Sequence, residues 1–362
     1  MRTEADTRYT LHSPNEAQGV VTSVAAFNFR GISVVVESPH ADLLQRLRGD
    51  FSEFTADSQK SPRLHVKAFL EVLPLRLRQT IQLQSGKKTR NCIIYGRGTL
   101  RINDYFGRSY AEYDFKKNTA NVYGLSSDAL HETVYLIIQS RVGKLLDQEG
   151  LHRLHAMGVE IDNHCILLTL PMGGGKTTFF LELLKDPAAR ILSDDCPLIT
   201  TRGTAWAFPI RVGTTPEGRA RLGAHPSLNW DKCYELCRMR YGRKLLLPIS
   251  AIQNRVLEKE AARVTLLIGR RTGKPGCKVK SVTFLTVLPV ILLNLGVGVG
   301  LPMMREYYVE GRWGDLASLL KILRSRLRAT LSLAWKARCL RIELGTDSPT
   351  NVRVLRAYLA GS

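Results

Sequence analysis

The chain has 362 residues, of which 44% are apolar and 23% charged, and these values are typical of a globular protein with about two domains. They exclude a wholly disordered or fibrous chain. The formal net charge is +20, and residues 231–362 carry 24 basic and 9 acidic side chains, so the basic excess lies in the C-terminal third. Two interpretations remain open: an anionic partner, such as nucleic acid, an anionic membrane face or an acidic protein, and a solvated basic surface without such a partner.

Cysteine usage and the N-terminus both indicate a cytoplasmic protein. The seven cysteines are scattered, and no pair of histidines completes a zinc pattern with Cys233 and Cys237. We therefore expect reduced thiols in a cytosol. Residues 1–19 contain no apolar core, so they do not predict a signal peptide.

The N-terminal part of the sequence alternates between strand and helix patterns. Residues 20–36 and 63–73 are rich in β-branched and apolar side chains and predict strands, and residues 38–51 predict a helix between them. Residues 91–123 contain short alternating runs separated by turn residues, which predict an antiparallel meander. We expect residues 1–126 to form a mixed α/β module.

A long helix and a hairpin follow. Residues 127–150 carry an apolar stripe at helical spacing and end at a glycine, so they predict a helix that bridges the first module and the next. Residues 157–161 and 164–170 predict two strands joined by a turn at Asp162–Asn163. Residues 190–200 predict another short strand, interrupted by two carboxylates.

The C-terminal half begins with strands and becomes helical. Residues 206–213 and 263–269 predict strands. Residues 283–304 carry no charge, yet prolines and glycines interrupt them, so a buried strand, a glycine turn and a helix start are favoured over a membrane span. Transmembrane insertion is therefore not expected. Residues 305–362 are predicted to form a basic helical C-terminal region.

Residues 167–184, LLTLPMGGGKTTFFLELL, have the layout of a phosphate-binding loop between a strand and a helix. Gly173, Gly174 and Gly175 can turn backbone N–H groups toward an anion, and a helix that begins there presents its positive end. The pattern G-x-x-x-x-G-K-[ST] departs only where Leu170 replaces the first glycine. We call residues 170–177 the glycine loop.

The side chains after the glycines have the chemistry that a phosphate site needs. Lys176 can reach the outer phosphates, the Thr177 hydroxyl can bind magnesium, and Thr178 begins the body of the helix. Asp194 and Asp195 follow a predicted strand, where one carboxylate can hold magnesium and the other can accept a proton from an attacking hydroxyl.

His155 lies 21 residues before Lys176, and the predicted hairpin brings both to one edge of a sheet. Together, His155, LLTLPMGGGKT and RILSDDC resemble the C-terminal catalytic domain of bacterial HPr kinase/phosphorylase. In that family a histidine starts a hairpin that leads to G-D-S-G-x-G-K-S and then to a strand ending in A-D-D-C. The chain is even more similar to the HPr-kinase-related proteins whose loop reads LPxGGGK[ST].

The resemblance implies a fold and a set of roles. The fold would be α/β, with an HPr-kinase/PEP-carboxykinase-like P-loop core over residues 127–304, after the N-terminal module and before a basic helical tail. Lys176 would bind the phosphates of ATP, Thr177 and Asp194 would bind Mg²⁺, and Asp195 would accept the proton. His155 would be the family's active-site histidine, and the family's enzymes form homo-oligomers.

Some features of the family have no clear counterpart. Leu170 and Met172 replace a glycine and a serine of the loop. For the family's later glutamate and its catalytic arginine, the sequence offers only the candidates Glu217 and Arg211, Arg263 or Arg270.

Three functions follow as hypotheses. The first is an ATP-dependent, magnesium-requiring kinase acting on the hydroxyl of a protein serine or a small molecule. The second is a nucleotide-binding regulator with little turnover. The third is a nucleic-acid or membrane-surface binder, in which Arg324, Arg328, Trp335 and Arg338 meet phosphates. Against the third stands an amphipathic helix that packs its leucines on the core, namely Leu320, Leu323, Leu327, Leu331 and Leu333.

Overall fold

The N-terminal part of the chain forms a nine-stranded sheet with the order β3-β1-β2-β4-β9-β8-β7-β6-β5 among the described residues. The computed structural model describes residues 22–57, 61–96, 98–171, 173–238, 242–301, 304–310 and 313–361. The strands are β1 (Ser23–Phe29), β2 (Ile32–Ser38), β3 (Thr55–Ala56), β4 (Leu64–Phe69), β5 (Lys87–Lys88), β6 (Ile93–Tyr95), β7 (Leu100–Asp104), β8 (Ser109–Asp114) and β9 (Thr119–Gly124). Strands β6 to β9 pair antiparallel, so the predicted meander is confirmed, whereas β4 pairs parallel with both β2 and β9.

Helices α1 (Ala41–Asp50), α2 (Leu75–Gln82) and α3 (Ser127–Gln148) accompany this sheet. The Ser126 hydroxyl caps α3 by accepting a hydrogen bond from the Ala129 amide. Leu130, Val134 and Ile138 of α3 are buried in the same core as the strands of the sheet. The predicted domain boundary at residue 127 therefore falls at the start of a helix that packs with the N-terminal module. The sequence could not show this, because an apolar stripe on a helix does not identify the sheet that the helix covers.

A second sheet lies at the centre of the rest of the chain and has the order β13-β11-β12-β19-β21-β20. Its strands are β11 (Met157–Ile161), β12 (His164–Thr169), β13 (Arg190–Ser193), β19 (Val264–Arg271), β20 (Lys278–Ser281) and β21 (Arg338–Leu344). The predicted hairpin is confirmed, with Asp162 and Asn163 at positive φ in the turn between β11 and β12. Parallel pairing joins β12 to β19 and β19 to β21.

Two small sheets complete the strands. One contains β10 (Leu151–Arg153), β14 (Leu198–Thr200) and β15 (Ala205–Trp206), and the other β16 (Val212–Thr214), β17 (Tyr234–Arg238) and β18 (Gly242–Leu247). The predicted strands at 190–200 and 206–213 are therefore wrong as single strands, because each divides between two sheets. The chain turns at Asp194–Asp195 in the first case and passes through Pro209 in the second.

Six helices among the described residues belong to this part of the chain, and four of them cover the two faces of the central sheet. They are α4 (Lys176–Leu183), α5 (Pro216–Leu222), α6 (Phe284–Ile291), α7 (Met304–Tyr308), α8 (Trp313–Lys336) and α9 (Ser348–Ala360), and α6 continues into a π-helix at Leu292–Val297. Side chains of β12 alternate between two cores: Ile166 and Leu168 lie with residues of α4 and α9, whereas Leu167 lies with residues of α6 and α8.

Two predictions for the C-terminal part are wrong. Residues 283–304 contain α6 and the π-helix instead of a buried strand, because a short apolar run does not distinguish a strand from a buried helix. Residues 305–362 are not wholly helical: β21 lies inside the central sheet, where Leu340 and Ile342 are fully buried. Within the described residues, no helix is both long and apolar enough to cross a membrane.

The leucines of α8 do not lie where core packing was expected. Ile322, Ala329 and Leu333 face the interior, and Leu333 is fully buried. Four others are exposed, namely Leu320, Leu323, Leu327 and Leu331. The expectation of core packing is correct for Leu333 alone, because α8 turns a different face toward the sheet.

Candidate active site

The direction of the strands brings the predicted site residues to one edge of the central sheet. Strand β13 runs antiparallel to β11, which runs antiparallel to β12, so β12 and β13 point the same way. The ends of β12 and β13 and the beginning of β11 therefore meet. The glycine loop follows β12, Asp194 and Asp195 follow β13, and His155 precedes β11.

Each of the three glycines has a backbone conformation or a close contact that disfavours a side chain. Gly173 and Gly175 have φ of +75° and +91°, the left-handed region that glycine adopts at no steric cost. A Cβ at Gly174 would stand 2.9 Å from the Pro171 carbonyl oxygen, which accepts the hydrogen bond of the Gly174 amide. Gly175 is the N-cap of α4, so the positive end of that helix opens into the loop. Met172, a predicted departure, lies outside the described residues.

Leu170 takes the place of the missing glycine by packing its side chain beneath the loop, where a Cβ on Gly174 would stand 3.5 Å from Leu170 Cδ2. Its side chain is buried in the core between the central sheet and α4. The space that it occupies is provided by Gly269 on the neighbouring strand β19, where a Cβ would stand 2.6 Å from Leu170 Cδ2. The leucine is therefore accommodated by a glycine in another strand, and the following glycines keep their conformation.

Lys176 and Thr177 face the two carboxylates in separate pairs. Lys176 Nζ donates to Asp195 Oδ1 at 2.5 Å, and Thr177 Oγ1 donates to Asp194 Oδ2 at 3.0 Å. Thr178 is half-buried in the first turn of α4. The site that the sequence predicted at Asp194, Asp195, Lys176 and Thr177 is thus brought together, and each carboxylate has its own partner.

His155 completes this group of side chains. Its Nε2 lies 3.3 Å from Asp195 Oδ1, and its Nδ1 lies 3.0 Å from the carbonyl oxygen of Val299, to which it donates. The backbone at Gly300 packs directly on the imidazole ring, and φ at Gly300 is +91°. The segment after the π-helix therefore fixes the orientation of the histidine toward Asp195.

The pKa values of the two carboxyl groups shift in opposite directions. Burial and the neighbouring Asp195 raise the pKa of Asp194 to about 7, against the opposing effect of Lys176. Burial also disfavours ionised Asp195, but Lys176 and His155 outweigh it and hold the pKa of Asp195 well below its usual range. The Asp195 side chain keeps 41% of its surface exposed, which limits the effect of burial, and Lys176 is the largest cause of the lowered pKa.

Asp194 and Thr177 have the chemistry of a magnesium site. Asp194 Oδ1 is buried without a hydrogen-bond partner, and Oδ2 is held by the Thr177 hydroxyl. A buried carboxylate oxygen without a partner is costly unless a cation or water meets it. Mg²⁺ prefers oxygen ligands and is usually held by one or two carboxylates together with substrate phosphates. The residues present therefore fit that ion.

The four candidates for the remaining arginine and glutamate have different surroundings. Arg211 is buried against Asp50 and Glu132, and Glu217 lies on α5, fully exposed. Arg263 precedes β19 at the opposite edge of the sheet, and Arg270 pairs with Glu343. These four candidates stay predictions, since an isolated arginine or glutamate in a sequence carries no information about the strand end on which it lies.

Two cations that the sequence did not single out approach the site. Arg271 ends β19, and its Nη1 lies 3.8 Å from the position of a Cβ on Gly175. Lys244 on β18 is close enough to Asp194 to lower its pKa, although this effect is smaller than that of Lys176. Arg271 could have been found from its place at the end of a parallel strand, whereas no local signal marks Lys244.

Comparisons with protein-family models and with curated proteins find no match to this chain.

Proposed function

We propose that the chain is an ATP-dependent, magnesium-requiring kinase of the HPr-kinase type, which transfers a phosphoryl group to the hydroxyl of a protein serine or a small molecule. One observation carries the proposal. The Lys176–Thr177 pair of the glycine loop faces the Asp195–Asp194 pair at hydrogen-bond distance, at the edge of the sheet where α4 begins.

The phosphates of the nucleotide would be held by the glycine loop. Backbone N–H groups of Gly173 and Gly175 and the positive end of α4 would attract the anion, and Lys176 would neutralise its outer phosphate. Arg271 lies beside Gly175 and adds a second cation from β19. Catalysis then consists mainly of positioning and of charge neutralisation in the transition state.

Thr177 and Asp194 would hold the magnesium ion. When bound, Mg²⁺ would neutralise the charge that develops on the phosphate oxygens. Thr177 and Asp194 already lie 3.0 Å apart, so little rearrangement of these two side chains is needed.

Asp195 would accept the proton of the attacking hydroxyl. Without nucleotide, its carboxylate is paired with Lys176, which holds its pKa too low for efficient proton transfer. A phosphate competes for the Lys176 ammonium group, and Asp195 then keeps His155 as its remaining partner. The pKa of Asp195 rises as Lys176 leaves, so nucleotide binding itself prepares the base.

The test measures ATP consumption with candidate acceptors and Mg²⁺, together with calorimetry of Mg–nucleotide binding. We expect Lys176→Ala to lower turnover by about 10²–10³-fold and to weaken nucleotide binding. Asp195→Asn should lower turnover by about 10²–10⁴-fold and leave nucleotide binding in place. Lys185→Ala and Asp162→Asn are matched controls, because Lys185 pairs with Glu182 and Asp162 with Arg356, outside the site.

Unchanged turnover in both site variants would end the kinase proposal. Tight Mg–nucleotide binding without phosphorylation of any acceptor would instead favour the second hypothesis, a regulator that binds nucleotide without turnover.

A further inference from the structure

The exposed face of α8 is apolar along most of its length. Its side chains recur every three or four residues, as one stripe of a helix, and five of them are leucines with 38% to 57% of their surface exposed. Trp335 continues the stripe and is 73% exposed. The members of the leucine stripe are Leu316, Leu320, Leu323, Leu327 and Leu331.

A second group of exposed apolar side chains lies beside the leucine stripe. It consists of Leu285 of α6 and of Leu292, Leu293 and Val297 of the π-helix. The two groups are joined by packing: the rings of Phe284 and Trp335 lie 5.2 Å apart, and Arg326 of α8 donates to the Leu295 carbonyl at 2.8 Å. We call the combined area the apolar surface.

Neighbouring exposed apolar side chains that are rimmed by charged residues often mark an interaction site. The charges around it indicate which partner. Lys321, Arg324 and Arg328 each follow a leucine of the stripe by one position and are exposed. The described part of α8 contains one carboxylate, Asp315, which is buried against Lys144.

We propose that the apolar surface docks on an anionic lipid bilayer, with α8 lying in the plane of the interface. Leucines and a tryptophan enter the boundary between headgroups and acyl chains, and the flanking lysine and arginines meet anionic headgroups, as in interfacial amphipathic helices. The apolar surface reaches the candidate active site, since the Asn294 carbonyl accepts the His155 amide and Val299 contacts the imidazole.

The other occupants fit less well. One alternative is a dimer in which two copies of the chain dock through this face. The exposed cations of the two α8 helices would then lie close together and repel each other, because the described residues of α8 offer no exposed carboxylate to pair with them. Nucleic acid would use the three cations but leave the leucines without a partner, because phosphates give apolar side chains nothing to contact.

The experiment is cosedimentation of the full chain with vesicles of phosphatidylglycerol and phosphatidylcholine in about equal parts, compared with phosphatidylcholine alone. We expect binding to the anionic vesicles that weakens with salt, and a blue shift of Trp335 fluorescence that is missing in Trp335→Phe. Leu323→Ser/Leu327→Ser and Arg324→Gln/Arg328→Gln should each lower partitioning by about tenfold or more.

Matched controls come from other surfaces. Leu75→Ser/Leu83→Ser removes two exposed leucines near α2, and Lys87→Gln/Lys88→Gln removes two exposed cations on β5, so both should bind vesicles as the unmodified chain does. Lys176→Ala should also retain vesicle binding, which separates this proposal from the proposed function. Circular dichroism and thermal unfolding check that each variant is folded.

Two outcomes with vesicles would overturn the proposal: no binding to anionic vesicles, or binding that the leucine variant does not weaken. Two further outcomes would also overturn it: a dimer in solution that the leucine variant dissociates, or binding to DNA or RNA that depends on the arginines alone. The last two would assign the surface to a second copy or to nucleic acid.

Discussion

Two adjacent carboxylates in the candidate site have different environments and therefore different chemistry. Asp194 is buried beside another acid, whereas Asp195 is partly exposed and paired with a lysine and a histidine. The first is suited to a cation that removes the penalty of burial, and the second stays ionised at physiological pH. A pair of titratable groups with pKa values that are shifted apart is a frequent sign of separate roles in catalysis.

Because of the raised pKa of Asp194, the affinity of the chain for Mg–nucleotide should depend on pH near neutrality. In the proposed function Mg²⁺ would bind the ionised form of Asp194, the pKa of which is about 7. Below that value a proton must leave before the metal binds, so affinity should fall by up to about tenfold for each pH unit. Above it affinity should level off, since Asp195 is already ionised. Calorimetry in buffers of different ionisation enthalpy measures both the affinity and the proton released.

Asp194→Asn is the control for this prediction, because it should bind Mg–nucleotide weakly at every pH. An affinity of the unmodified chain that stays constant between about pH 6 and about pH 8 would contradict the assignment of the metal to Asp194.

The sequence could predict these residues because their signals are local. Three glycines before Lys-Thr, and two acids after an apolar run, each mark the end of a strand. Arg271 and Lys244 could not be found in the same way, because their importance depends on which strands are neighbours. Arg271 is close to the glycine loop only because β19 pairs parallel with β12, and the sequence does not reveal that pairing.

At the scale of elements, the glycine loop depends on the strand beside it. Gly269 leaves room for Leu170 and Leu168, which come within 2.6 and 2.9 Å of where a Cβ on Gly269 would stand. The departure of the loop from the usual glycine pattern is therefore matched by a glycine about 100 residues later in the chain.

Gly269→Ala should displace Leu170 and with it the start of the loop. We expect a loss of about 1–3 kcal/mol in the free energy of unfolding from overpacking and a weaker affinity for Mg–nucleotide. The double variant Gly269→Ala/Leu170→Ala should recover the affinity, since it restores the space. Gly314→Ala is the control, because a Cβ there meets no atom within 4 Å. Thermal unfolding and calorimetry measure the two effects, and an unchanged affinity in Gly269→Ala would show that the loop does not depend on this packing.

Helices and strands with a clear periodicity in their own residues could be predicted from the sequence. Elements that form only through contacts with distant parts of the chain could not. The β11–β12 hairpin, the meander of β6 to β9 and helix α3 follow from alternation, turn residues and helical spacing. Strand β21 was hidden in a basic helical region, because its seven residues could be assigned to the centre of a sheet only once β19 and β20 lay beside it. The exposed leucines of α8 had the same periodicity as core leucines, so the pattern gave no information about which face is covered.

At the scale of the whole molecule, a buried ionic cluster joins the N-terminal sheet to the part that carries the candidate site. Arg211, just before β16, donates to Asp50 at the end of α1 and to Tyr234 on β17 at 3.0 and 2.9 Å, and it also pairs with Glu132 on α3. Its guanidinium stacks on the Tyr135 ring, and His131 Nε2 lies 2.9 Å from Asp50 Oδ2, the same oxygen that accepts from Arg211. The cluster connects elements that lie more than 150 residues apart in the chain.

Arg211→Ala should destabilise the whole chain, because it leaves the fully buried Asp50 carboxylate without its main cation. Removing one member of a buried pair costs about 3–5 kcal/mol, and the pKa of Asp50, which burial raises but Arg211 and His131 lower further, should move upward. We expect one cooperative thermal transition at a markedly lower temperature. Arg243→Ala, which breaks an exposed pair with Glu235, should leave the transition unchanged. If Arg211→Ala instead produced two separate transitions, one of them at the original temperature, the two parts would unfold independently and the cluster would not couple them.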